Sequence, residues 1–102
     1  MHATPNSNAP QKLDLDGALS IYTAADTKPR LSSALQGTLA LQIDLSAVDE
    51  FDCAGLQLLL ATCEQARRMD IDLHFTGVSP VVTELFKLAG LGELLLTRES
   101  KQ

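Results

Sequence analysis

Two thiols and a cluster of carboxylates are the residues of this chain with most chemical potential. Cys53 follows Asp52 in the stretch DEFDCAGLQLLL, residues 49–60, where an acidic turn opens into an apolar run. A cysteine in the first turn of a helix has its thiolate favoured by the helix dipole, as a nucleophile requires. The flanking charges oppose this. Asp49, Glu50 and Asp52 lie within four residues of Cys53, and no Lys, Arg or His is close in sequence. Carboxylates disfavour a neighbouring thiolate. Cys63 lies ten residues further along the same run and makes no Cys-x-x-Cys pair. Cys53 therefore reads as a small packed residue rather than a nucleophile.

Metal and acid–base chemistry find no better footing. The two histidines are His2, near the N-terminus, and His74, on the polar side of an alternating segment. Neither has ligand spacing to a cysteine. No glycine-rich phosphate loop or Ser-His-Asp constellation is recognisable. Asp49 and Asp52 form a carboxylate pair, but Asp before an apolar run is first of all a helix cap. No cofactor is expected, and no catalytic residue is assigned.

The elements that must position these residues follow from composition and periodicity. At 102 residues with 45% hydrophobic and 21% charged residues, the chain fits one globular domain. No apolar run reaches the roughly 18–20 residues a membrane span needs. A net charge of −5 with scattered Lys and Arg argues against nucleic acid, which is bound through basic clusters. Residues 1–11 read as a disordered leader without signal-peptide character, 12–98 as the folded domain and 99–102 as a tail. Two cysteines are too few for a disulfide scaffold, so a reducing, cytoplasmic setting with free thiols is expected.

Around Gly17, KLDLDGALSIY predicts two short strands joined by a tight turn. TAADTKPRLSSALQG predicts a helix capped by Thr23, with Asp26 at the capping-box position and Gly37 as its stop. Pro29 falls beyond the first turn, so a kinked long helix is preferred to one starting at Thr27. LALQIDL places Leu39, Leu41, Ile43 and Leu45 on one face, and IDLHFT repeats the alternation with Ile71, Leu73 and Phe75. Strands covered on both faces would be apolar throughout, so the helices should pack on one side of the sheet. A helix over about 53–68 lies between these strands. Ser79 and Pro80 begin a third helix that ends at Gly90, and LLLT predicts a final strand. The expected order is β-β-α-β-α-β-α-β.

On the helix over 53–68, Leu56, Leu59, Leu60, Cys63 and Ala66 share a core face at 100° per residue. Ala54, Leu58, Ala61, Gln65 and Arg68 form a second stripe roughly opposite. Its first half is apolar where charge is expected on a solvent face, which marks either a partner surface or a residue covered by a neighbour.

DLSAVDEFDCAGLQLLL resembles the core motif of STAS domains, the fold of bacterial anti-sigma factor antagonists. The family pattern is a strand ending in Asp-Leu-Ser, a loop, and Asp-Ser-Ser/Thr-Gly-Leu opening a helix. GALSIYTAAD and VSPVVTELFKLAGL resemble two further family segments, in the right order. The resemblance implies an α/β domain with a mixed sheet and helices on one face. It also implies a non-enzymatic function: docking a protein partner at the N-terminal end of the second helix. Asp52 and Gly55 match the family aspartate and glycine. Cys53 stands at the first hydroxyl position. Ala54 stands at the position that accepts phosphate, and it has no oxygen to receive one. Tyr22, Thr23 and Ala24 are expected beside the same surface. Ala54, Leu58 and Ala61 would supply its apolar area, with Asp26 and Asp52 at its rim. The Asp-x-Ala-Gly variant is similar to chemotaxis-associated STAS proteins and to a STAS subunit that binds a phospholipid-transporter ATPase. An anti-sigma factor kinase, a chemotaxis protein or that ATPase is the partner implied. A homodimer stays open, as does phosphorylation at another hydroxyl such as Ser46 or Thr23.

Overall fold

The computed structural model describes residues 10–99. Its elements are β1 (Gln11–Leu19), α1 (Ala24–Ala34), β2 (Ala40–Phe51), α2 (Cys53–Arg68), β3 (Asp72–Val78), α3 (Pro80–Leu88) and α4 (Gly92–Arg98). The strands form one sheet in the order β1-β2-β3, and both pairings are parallel. Parallel neighbours need a crossover; α1 and α2 supply the two.

Alternation along the strands separates the sheet's faces. Leu15, Leu41, Ile43, Leu45, Leu73 and Phe75 are buried towards the helices. Lys12, Asp14, Gln42, Asp44 and Thr76 line an open polar surface on the other face. Leu31 of α1 and Leu35 at its C-cap, Leu59 and Ala66 of α2, and Val82 and Phe86 of α3 complete the core. Each such side chain contributes about 1.5–3 kcal/mol when fully buried. The helices cover one face, as the alternation predicts. His74 sits half-exposed on the polar face, its Nε2 2.9 Å from Asp72 Oδ1.

The element order departs from expectation at both ends. Gly17 does not turn a hairpin: β1 is one continuous strand whose register against β2 shifts between Asp14 and Asp16 and again between Gly17 and Ala18. Gly17 has φ 68°, a left-handed conformation that serves a hairpin turn or a bulge equally well. Pairing with β2 along the full length of β1 selects the bulge. The expected mixed sheet is therefore wholly parallel among the described residues. LLLT is helical, within α4. Leu91 and Leu95 both meet the core while Glu93 between them is exposed; a helix turns the middle residue away, whereas a strand would put all three on one face. A single bridge between Phe75 and Glu99 is all that pairs with β3 there.

Smaller differences have local causes. Leu39 precedes β2 and is 65% exposed, although Ile71, at the corresponding entry to β3, is buried. α1 runs unbroken through Pro29 and so begins after Thr23 rather than at Thr27. Thr23 occupies the N-cap position without a side-chain cap bond, and its N–H donates to Ser20 O rather than to Asp26. Ser79 likewise precedes Pro80 without capping; its Oγ is buried and unpartnered. Residues 1–9 of the expected leader and 100–102 of the expected tail lie outside the described residues, while Gln11 already belongs to β1.

Candidate functional site

Asp52 organises the head of α2. Its backbone is extended, and its Oδ1 accepts the N–H of Gly55 at 3.1 Å, the side-chain cap read from the sequence. Oδ2 accepts the N–H of Ile21 at 3.0 Å. One carboxylate thus joins the N-terminus of α2 to the loop between β1 and α1. The Ile21 N–H and then the Gly55 N–H hold this carboxyl below its ordinary pKa.

Close packing makes the same connection a second time. Gly55 is buried, and a Cβ there would collide with the carbonyl oxygen of Leu19 at the end of β1. Only glycine lets the first turn of α2 approach that strand so closely. Thr23 closes the β1–α1 turn from within: its Oγ1 donates to Ala18 O at 2.9 Å and accepts the Ser20 N–H at 2.9 Å. Asp52 and Thr23 fix the loop from both sides, which leaves Ile21 67% and Tyr22 92% exposed.

Beside this loop, α1 and α2 leave a shallow groove of about 400 Å³ lined by Ala24, Ala25, Lys28, Ala54, Gln57, Leu58 and Ala61. Small alanines on both helices form its floor and walls, and Lys28 is its only charge. Leu58 is half-buried, packed on the rim of the core beside α1. Covering by a neighbouring helix thus accounts for part of its apolar character, and the remainder faces the groove. Cys53 is an exposed free thiol, not the packed residue its surroundings in the sequence suggest, whereas Cys63 is buried and its thiol is pushed up by desolvation.

Of the residues expected at this surface, Tyr22, Ala24, Asp52, Ala54, Leu58 and Ala61 lie around the head of α2 with the exposed Cys53, whereas Gly55 is buried beneath Leu19 and is not available to a partner. Asp26 is exposed on α1 but does not line the groove, and the Thr23 hydroxyl is committed to its turn. Ile21, Ala25, Lys28 and Gln57 adjoin the same groove and loop, beyond the residues to which the sequence points. The alternation predicts Ile21 and Tyr22 as the end of a second strand; the structure places them in the exposed turn just ahead of α1. On the other side of the β2–α2 junction, Phe51 stacks on Phe86 with centroids 6.2 Å apart. It also lines a second groove with Val81, Leu85 and Leu88.

A parallel sheet covered on one face, with an aspartate-capped helix meeting the β1–α1 loop, defines an α/β domain built around the head of one helix. A family model described as Mlab, STAS domain, matches residues 2–97, and the chain belongs to the STAS domain family. It is 28% identical over 92 residues to an anti-sigma-B factor antagonist of Staphylococcus aureus, covering 89% of this chain and 85% of the relative. Among solved structures it is similar to an anti-sigma factor antagonist from Mycobacterium paratuberculosis, with a TM-score of 0.70 and 24% identity over 82% of this chain and 74% of that one. Unphosphorylated SpoIIAA, an anti-sigma factor antagonist, superposes with a TM-score of 0.64 at 17% identity, covering 83% of this chain and 78% of that one. The STAS domain of a SulP transporter from Vibrio cholerae gives 0.63 at 19% identity, covering 86% and 70%. These last three likenesses establish the fold.

Proposed function

We propose that this chain is an anti-sigma factor antagonist-like STAS domain, regulatory and without enzymatic activity, that docks a protein partner at the N-terminal end of α2. The observation that carries this reading is the double acceptance by Asp52. It holds the exposed Ile21–Tyr22 loop rigidly beside the groove that contains Ala54, Leu58 and Ala61. A preformed, largely apolar surface with an exposed aromatic suits protein recognition. Cys53 and Gly55 contribute backbone shape rather than chemistry. The setting is cytoplasmic and the docking unit is residues 12–98; among the described residues no helix is long and apolar enough to cross a membrane.

Ala54 stands where the family motif carries a phosphate acceptor, so docking here is constitutive at that position. In a phosphorylatable relative a charge of about −1.5 to −2 would enter this surface. The Asp-Cys-Ala-Gly motif together with SIYTAADTKPRL favours a chemotaxis protein as partner. The transporter ATPase is the alternative for the same motif. Titration calorimetry against a co-encoded candidate from each class tests the reading. Binding that Ala54→Glu weakens by tenfold or more supports it; binding indifferent to Ala54→Glu and Tyr22→Ala removes this surface.

A phosphoregulated antagonist using another hydroxyl is the second reading, and one observation favours Ser46 over Thr23 for it. Ser46 is exposed, its Oγ donating to Asp44 Oδ1 at 2.6 Å, while Thr23 is tied into its turn. Incubation with an anti-sigma factor kinase and ATP, followed by peptide mass spectrometry, decides between them.

A further inference from the structure

We propose that the outer edge of β1 is a self-recognition surface, on which a second copy of this chain adds its own β1 antiparallel. β1 is an edge strand of nine residues; among the described residues β2 is its only neighbour. The Arg30 guanidinium reaches the Asp14 carbonyl at 3.1 Å from the solvent side. This marks the backbone of Asp14, and of Lys12 two positions earlier, as directed away from β2. A partner strand must use these two residues.

Charge selects the register. In a two-fold antiparallel pair, outward residues face outward residues. Pairing Asp14 with Asp14, or Lys12 with Lys12, sets like charges opposite. One register remains: Lys12 of each copy faces Asp14 of the other, and Leu13 meets Leu13 on the axis. Both charged side chains lie on the polar face of the sheet, where directly opposed charges stabilise a pair. A lysine on an edge ordinarily discourages pairing. Here the same strand carries its counter-charge at the one spacing that makes the edge self-complementary.

The helix-covered face fits as well. Leu13 is only half-buried in one copy, and it borders a groove of about 450 Å³ lined with Pro29, Arg30, Ser33 and Ala34. The second Leu13 fills that space. Ser33 and Ala34 let the two α1 helices approach. The Asp14 carbonyl has two lone pairs; Arg30 keeps one, and the Lys12 N–H of the second copy takes the other. Past Asp14 the bulged register bends β1 away, which confines the pairing to residues 11–15 and leaves the head of α2 free in both copies.

The test uses the full chain. Light scattering during size exclusion over a concentration series is expected to show a dimer. Lys12→Asp and Asp14→Lys should each weaken it about tenfold by opposing like charges, and the double variant K12D/D14K should restore it. Leu13→Cys in a Cys53→Ser background should form an interchain disulfide under mild oxidation. A monomer at all concentrations overturns the proposal. So does a dimer indifferent to the single swaps, which would be built on another face, or a double variant no better than either single one. Both swapped residues are exposed, so unchanged circular dichroism melts confirm that folding is not the cause.

Discussion

Asp52 accepts the backbone N–H of Ile21, 31 residues earlier in the chain, at 3.0 Å, while its other oxygen caps α2. The loop and the helix are held by the charged form of one carboxyl, so the contact has a pH signature. Its folded-state pKa lies below the ordinary value. The stabilisation is therefore complete above the unfolded-state pKa and fades as pH falls through the lower folded value. Asp52→Ala should melt below the wild type at pH 7, and the gap should narrow below about pH 4. Asp52→Asn keeps an acceptor without the charge and should fall between them. Melting by circular dichroism from pH 7 to pH 3 checks both.

Gly55→Ala should destabilise through overpacking. The added methyl meets the Leu19 carbonyl, part of a strand with nowhere to yield, so α2 must back away from β1. The expected cost is about 1–3 kcal/mol. Urea unfolding should show a lower midpoint with an unchanged slope. A midpoint equal to the wild type would mean that the close approach of helix and strand is looser than described.

The two cysteines should separate by reactivity. Cys53 is exposed at the start of α2; Cys63 is buried, and desolvation raises its thiol pKa. N-ethylmaleimide at pH 7 should add one label to the folded chain and two in denaturant, with the first mapped to Cys53 by peptide mass spectrometry. Rapid double labelling of the folded chain would place the inner face of α2 elsewhere.

What could be read from the sequence was whatever depends on neighbours along the chain. The core stripe of α2, the Asp52 cap and the one-sided sheet all follow from local periodicity, and the structure keeps them. Gly17 and LLLT failed for one shared reason. A left-handed glycine serves a bulge as well as a turn, and three consecutive leucines fit a strand as well as a helix. The deciding partners, β2 for Gly17 and the core near Leu91 for α4, are remote in sequence. Within the candidate site, the Ile21 bond to Asp52 is legible only after folding, because no periodicity relates positions so far apart. Thr23 shows the converse: its type suits a cap, but its Oγ1 accepts the Ser20 N–H and donates to the Ala18 carbonyl, so it closes the preceding turn instead.

Adjacent leucines on α2 give the sharpest test of which way the helix faces. Leu59 is fully buried, while Leu58 is half-buried between the core rim and the groove. Leu59→Ala removes a core side chain and should cost about 2–5 kcal/mol. Leu58→Ala leaves no enclosed cavity, since the groove is open, and should cost about half as much or less. Urea titrations of the two variants give the comparison directly. The order should reverse in partner binding: Leu58→Ala should lose affinity for a partner seated on the groove, whereas Leu59→Ala, once folded, should retain it. Equal costs in both measurements would mean that the helix presents no distinct outer face, and the docking proposal would lose its apolar surface.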